Sequence, residues 1–172
     1  MIEISSNLFI GTDEDYETIV KHHNGWMVVH ASREPYQSEL DEYGEGQFST
    51  QYPEWTVARR DNRLFLNLIE DQDPDDIPED LVKTTLEFIH EGLQNGLKVL
   101  IHSNYGISRS PAIGLLYIAS STDIFVDSNL GEAEYVFKKL YPKYKPDRGM
   151  KRFLRRSWHL YSKGDADNYN SD

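Results

Sequence analysis

The sequence predicts an α/β domain, a central and mostly parallel sheet flanked by helices, and three observations carry that prediction. Short β-branched runs at Trp26 to His30 (WMVVH), Leu64 to Leu68 (LFLNL) and Lys98 to His102 (KVLIH) read as buried strands. Between the last two lies EDLVKTTLEFIHEGLQNG, where Val82, Thr85, Leu86, Ile89 and Leu93 recur at steps of three and four. That spacing makes an amphipathic helix, and Gly96 is placed to end it. Strand, helix and strand in this order form a βαβ unit, hence a parallel pair.

The other elements follow in order. Ile2 to Ile4 and Leu8 to Ile10 suit an opening pair of strands. Asp13 to Val20 reads as a short helix whose first turn carries acids, as the helix dipole favours. Residues 33 to 62, REPYQSELDEYGEGQFSTQYPEWTVARRDN, show no regular period. So long a connection is unusual in a compact domain; it is either a substrate-facing lid or an inert insertion. PAIGLLYIASS is nearly all apolar and belongs in the core as a helix. Pro111 suits its first turn, and Ser110 could cap it. Two further helices are expected, at Glu132 to Leu140 and from about Asp147 to Tyr161.

The length of 172 residues fits one domain with a real core, assigned to residues 1–162, and a polar, disordered tail over 163–172. No apolar run reaches the length of a membrane span, and MIEISSNLFIG lacks the basic start of a secretion signal. The expected compartment is the cytoplasm. Cysteine is absent, which excludes disulfides and thiolate zinc sites. The adjacent His22 and His23 have no partner motif for a metal and read as surface. Net charge is −11, yet nine of the 18 basic residues fall between Lys138 and Arg156 with a single acid, Asp147. Overall acidity argues against a nucleic-acid binder. The basic segment either faces an anionic partner or is a solvated helix face paired with the acidic remainder.

One stretch stands apart: VLIHSNYGISRSP, residues 99 to 111. A buried strand ends in His102, a short loop follows, and a buried helix begins. Successive backbone N–H groups in such a loop can converge on an anion, helped by the helix dipole. Gly106 permits a backbone geometry that a Cβ would obstruct. Arg109 offers a planar fork to two phosphate oxygens. The candidate phosphate-binding residues are therefore Ser103, Asn104, Tyr105, Gly106, Ile107, Ser108 and Arg109. The nucleotide pattern GxxxxGK[ST] is absent, so this is no NTPase cradle. His102 and Ser103 are neighbours on a strand and point to opposite faces, so His102 orients the loop by hydrogen bonding. Tyr105 and Ile107 could line the mouth, and Arg59 with Arg60 could add charge for a second phosphate.

His102, Ser103, Gly106, Arg109 and Ser110 resemble the signature of the cysteine-dependent protein tyrosine phosphatases, His-Cys-x-x-Gly-x-x-Arg-Ser/Thr, except at Ser103. The Ser-Pro-Ala run into an apolar helix looks like the dual-specificity branch. MIEISSNLFIG is similar to that branch's first strands, RLFLNLIEDQDPDDI to its general-acid region, and YPKYKPDRGMKRFLRRSW to its last helices.

The resemblance implies a phosphoric monoester hydrolase with no cofactor or metal, acting on a phosphorylated protein or peptide. A thiolate attacks phosphorus in line, an aspartic acid protonates the leaving oxygen, and water hydrolyses the phosphocysteine with the same aspartate as base. Ser110 would donate to the departing sulfur. Asp73, which precedes Pro74, is the favoured acid with Asp71 behind it; the acids around them cap the following helix. Arg109 and the amides would hold a thiol as thiolate and stabilise the equatorial oxygens. A serine hydroxyl is far less acidic, and no base is placed to activate it. The chain as it stands should bind phosphate esters and turn them over poorly. Two origins fit: a substrate-trapping replacement of a cysteine, or a natural pseudophosphatase. No basic residue lies between Ser103 and Arg109, which counts against highly charged substrates such as phosphoinositides. Oligomeric state is open.

Overall fold

A computed structural model of the chain describes residues 1–35 and 56–163. Six strands form one sheet: β1 (Ile2–Ser5), β2 (Leu8–Thr12), β3 (Trp26–His30), β4 (Val57–Arg60), β5 (Arg63–Leu66) and β6 (Lys98–Ser103). Their order is β1-β2-β6-β3-β5-β4. The four central strands run parallel, and β1 and β4 are antiparallel edges. The mostly parallel sheet is therefore as expected. One detail is corrected: β5 and β6, the two strands of the βαβ unit, are not neighbours, because β3 lies between them. The connecting helix crosses over a strand, which spacing in sequence cannot reveal.

β4 was not anticipated within 33–62. Its four residues, VARR, carry too few apolar positions to register, and pairing with β5 through the two-residue turn Asp61-Asn62 makes the strand. Residues 36–55, where the lid or insertion was expected, lie outside the described residues, as do 164–172 of the expected tail. β5 stops at Leu66 rather than Leu68; the Leu68 N–H turns back to the Leu66 carbonyl.

The helices that lie wholly within the described residues include α1 (Asp13–Asp15, continued by a π-helical turn over Tyr16–Val20), α2 (Glu79–Gln94), α3 (Arg109–Ser121), α4 (Leu130–Leu140) and α5 (Arg148–Tyr161). They flank the sheet unequally. Ile10, Met27, Val29, Leu64, Val99 and Ile101 join residues of α2 to α5 in the main core, whereas Val28 and Leu100 pack on the other side with Val20, Tyr16 and Trp26. Alternate strand residues thus serve two cores, as the pleat requires. α3 is buried from Arg109 to Ala119. Each fully buried Leu or Ile there contributes about 1.5–3 kcal/mol. α2 ends as expected: Asn95 is its cap and Gly96 follows at φ +71°. Among the described residues no helix is long and apolar enough to cross a membrane.

Candidate active site at the 103–110 loop

The parallel strands β2, β6 and β3 reach the same edge of the sheet, with Thr12 opposite Ser103 and His30 opposite His102. Open α/β sheets bind ligands outside the carboxyl ends of such strands. β6 ends at Ser103 and α3 begins at Arg109, so five residues make the bend. Gly106 adopts φ +64°, and a Cβ there would meet the Gly11 carbonyl oxygen at 2.7 Å. Only glycine fits both constraints. The amides of Asn104, Tyr105, Gly106, Ile107 and Ser108 have no acceptor among the described residues. Gly106 and Ser108 are buried and Asn104 is half-buried, and N–H groups in such places are rarely left so. A run of them before a helix N-terminus suits an anion.

Ser103 is buried, and its Oγ lies 3.0 Å from Ser110 Oγ. This corrects one expectation. Ser110 does not cap α3; Ser108 holds the cap position without a side-chain bond, and Ser110 sits inside the first turn. Starting the helix at Arg109 turns the Ser110 hydroxyl toward Ser103. Arg109 is 4% exposed; it donates from Nη1 to the Leu68 carbonyl at 3.0 Å and from Nη2 to Glu70 at 3.3 Å. Two of five guanidinium donors are thereby used. Tyr105 and Ile107 are solvent-exposed on the loop.

The loop is clasped by the segment after α4. Tyr141 Oη donates to the Gly106 carbonyl at 2.7 Å. The Lys145 N–H donates to the Ile107 carbonyl at 2.7 Å. Ser108 Oγ donates to Asp147 at 2.6 Å and accepts from the Asp147 N–H at 3.0 Å. Burial pushes the Tyr141 phenol up to about 12, and Asp15 adds to the shift, so it remains a donor. Sequence reasoning missed Tyr141 and Asp147 as supports of the loop. The only signal was Asp147 standing just before a helix, as its N-cap.

His102 points away from Ser103. Its Nδ1 lies 2.8 Å from Asp13 Oδ1 and its Nε2 2.7 Å from Nδ1 of buried His30. Burial first, then His102 and Arg63, push His30 down to about 2, so His30 is neutral. No base contacts Ser103 among the described residues. The expectation that His102 orients the loop by hydrogen bonding is corrected: its ring bonds to Asp13 and His30, outside the loop.

The acid stretch is tied to α5. Asp71, at φ +52°, accepts from the Gly149 N–H at 2.9 Å. Asp73 accepts from the Asp75 N–H at 3.1 Å, caps the 3-10 turn Pro74–Asp76, and lies 3.5 Å from Arg152. Asp75 pairs with Arg156. Gly149 lets this happen: a Cβ there would stand 2.2 Å from the Gln72 carbonyl oxygen. Neither Asp71 nor Asp73 contacts residues 103–110 directly; Glu70 does, through Arg109. Arg59 is corrected: it forms a paired fork with Glu91 at 2.7 and 2.8 Å on the far edge of the sheet, so it adds no charge at the loop. His22 and His23 are exposed, as expected.

These features define a class. The chain has the α/β fold of the dual-specificity phosphatases, and the stretch from His102 to Ser110, which resembles their loop signature except at Ser103, lies at the end of the strand β6. Similar solved structures include the human tyrosine phosphatase-like serine/threonine/tyrosine-interacting protein, 24% identical with a TM-score of 0.60 over 92% of this chain and 95% of that one. Human DUSP28 is 19% identical with a TM-score of 0.61 over 94% of this chain and 100% of that one. DUSP15 is 22% identical with a TM-score of 0.61 over 91% of this chain and 86% of that one. Among curated proteins, "Putative tyrosine phosphatase 123R" of Invertebrate iridescent virus 6 is 42% identical over 53 residues, 31% of this chain and 37% of that protein. The match thus spans little more than a third of that relative's length. No family model matches the chain.

Proposed function

We propose that this domain recognises phosphate monoesters on proteins, and that with cysteine at position 103 it hydrolyses phosphotyrosine and, within the same pocket, phosphoserine or phosphothreonine. The reading places it in the cytoplasm. The observation that carries it is the run of amides from Asn104 to Ser108 without acceptors among the described residues, with the buried Arg109 next in the chain. The fold of the dual-specificity phosphatases supports it.

The chemistry is written for the cysteine form. The thiolate forms a bond to phosphorus as the bond to the leaving oxygen breaks; that oxygen keeps the electron pair and takes a proton from Asp73. Water then attacks phosphorus, gives its proton to Asp73, and the P–S bond breaks. Ser110 donates to the departing thiolate, and inorganic phosphate leaves. Arg109 and the amides hold the three equatorial oxygens throughout. Asp71, fixed to Gly149, supports the acid loop.

With Ser103 in place the first step lacks a competent nucleophile. Its hydroxyl has Ser110 for a partner and no base. The chain with Ser103 therefore binds without efficient turnover. A natural pseudophosphatase that shields phosphorylated partners is the second reading, and Ser103 itself favours it.

The experiment is to install Ser103→Cys and assay an aryl phosphate. Hydrolysis that vanishes again with Arg109→Ala supports the enzyme. An inert cysteine form that still binds phosphopeptide selects the second reading. A chain that binds phosphorylated and unphosphorylated peptide equally rejects both.

A further inference from the structure

Two Asn-Gly pairs stand in the sequence, Asn24-Gly25 and Asn95-Gly96. Asparagine is a chemically labile residue, most of all before glycine. The glycine amide nitrogen can attack the asparagine side-chain carbonyl carbon, because no glycine side chain shields it. Both pairs are solvent-exposed, so access to water does not separate them. Hydrogen bonding does.

Asn95 caps α2, and the chain around it is fastened. Its N–H donates to the Glu91 carbonyl at 3.1 Å, the Gly96 N–H to Leu93 at 3.1 Å and the Leu97 N–H to Gly92 at 3.0 Å. The nitrogen that would attack is therefore held, and freeing it means opening the last turn of the helix.

Asn24 stands differently. It follows the π-helical turn and comes two residues before Trp26, the start of β3. Among the described residues, neither its side chain nor the Gly25 N–H has a hydrogen-bond partner. Gly25 lies at φ +85°, and beyond its chain neighbours no atom comes within 4 Å of where its Cβ would stand. Its carbonyl alone is engaged, by the Lys98 N–H at 3.0 Å. That bond anchors the far side of Gly25 and leaves its nitrogen free to meet the Asn24 side chain.

We propose that Asn24 is a site of spontaneous deamidation in the folded protein, and that Asn95 is protected. The Gly25 nitrogen loses its proton to water and forms a bond to Asn24 Cγ. The bond from Cγ to the side-chain nitrogen breaks, and that nitrogen leaves as ammonia with a proton returned from water. A second water opens the resulting succinimide at either carbonyl and gives aspartate or an isoaspartyl linkage. No oxidant, metal or cofactor enters. Either product places a carboxylate at the amino ends of β3 and β6, where Trp26 pairs with Lys98, on the sheet edge opposite the 103–110 loop. The isoaspartyl form is a substrate for methyltransferases that esterify its free carboxylate. Nothing in this chemistry depends on phosphate binding.

The test ages the full chain in mildly alkaline buffer, folded and, in parallel, unfolded in guanidinium. Peptide mass spectrometry follows each asparagine, with chromatography separating aspartyl from isoaspartyl forms. Relative to its own unfolded rate, Asn24 should slow by about threefold at most and Asn95 by about tenfold or more, since only the Gly96 amide must first be released from a helix end. Labelled methyl transfer by an isoaspartyl methyltransferase should mark the aged folded chain, fall away in Asn24→Gln and persist in Asn95→Gln, with thermal melts confirming both folds. Asn24 as protected as Asn95 overturns the proposal. So does methyl labelling that survives Asn24→Gln undiminished.

Discussion

Ser103 Oγ and Ser110 Oγ face each other at 3.0 Å, both side chains buried, one at the end of the central strand and one in the first turn of the helix that follows. In the proposed mechanism Ser110 donates to the leaving sulfur of the cysteine form. In Ser103→Cys, the further change Ser110→Ala should slow breakdown of the phosphoenzyme and spare its formation. A hydrogen bond to a charged group is worth about 2 kcal/mol, roughly thirtyfold in rate. Rapid-quench kinetics should show a full burst followed by a slower steady state. A loss of burst amplitude would place Ser110 in the first step instead.

Asp71 and Asp73 separate by readout. In the cysteine form Asp73→Asn should lower kcat by about a hundredfold or more on alkyl phosphates and much less on nitrophenyl phosphate. Asp71→Asn keeps an oxygen for the Gly149 N–H and should spare the rate, whereas Asp71→Ala removes that acceptor and should cost about 1 kcal/mol, a fall in Tm of about 2–4 °C. A slow Asp71→Asn enzyme beside a normal Asp73→Asn enzyme would reverse the roles.

Gly106→Ala puts a methyl 2.7 Å from the Gly11 carbonyl oxygen at φ +64°. The left-handed backbone alone costs about 1–2 kcal/mol, and the clash adds to it. We expect the stabilisation of the folded chain by tungstate or phosphate to disappear in thermal melts. Unchanged ligand stabilisation would remove Gly106 from the pocket.

His30 makes stability depend on pH. Unfolded, it protonates near 6.5; folded, it stays neutral to about 2 because it is buried. Its contribution is complete above pH 6.5 and is lost progressively as pH falls below that. The slope is up to about 1.4 kcal/mol per pH unit. Urea melts should show His30→Gln less stable at pH 7 yet flatter between pH 6.5 and 4.5. Parallel slopes for the two proteins would mean His30 is not the group.

Much of this site was readable from residue order. The strand, the glycine, the arginine and the helix of 99–121 are consecutive, so their spacing alone places them. The supports were not readable, because they come from afar. Tyr141 and Asp147 reach the loop from beyond α4, and Asp13 and His30 reach His102 from other strands' ends. A tyrosine's partner 35 residues away leaves no local pattern. β4 was missed for a related reason: its strand character comes from pairing with β5, while its own residues are half basic. The reading of Ser110 as a cap failed because capping residues are also common inside first turns, and only coordinates show where the hydroxyl points.

The clasp and the acid loop have one owner. Gly106 to Ser108 hang from Tyr141 to Asp147, and Asp71, Asp73 and Asp75 hang from Gly149, Arg152 and Arg156. The spacing between the loop and the acid stretch is therefore set from one contiguous piece of chain, the turn-and-coil segment Tyr141–Asp147 and the helix α5 that follows it. Move that piece and both attachments shift together.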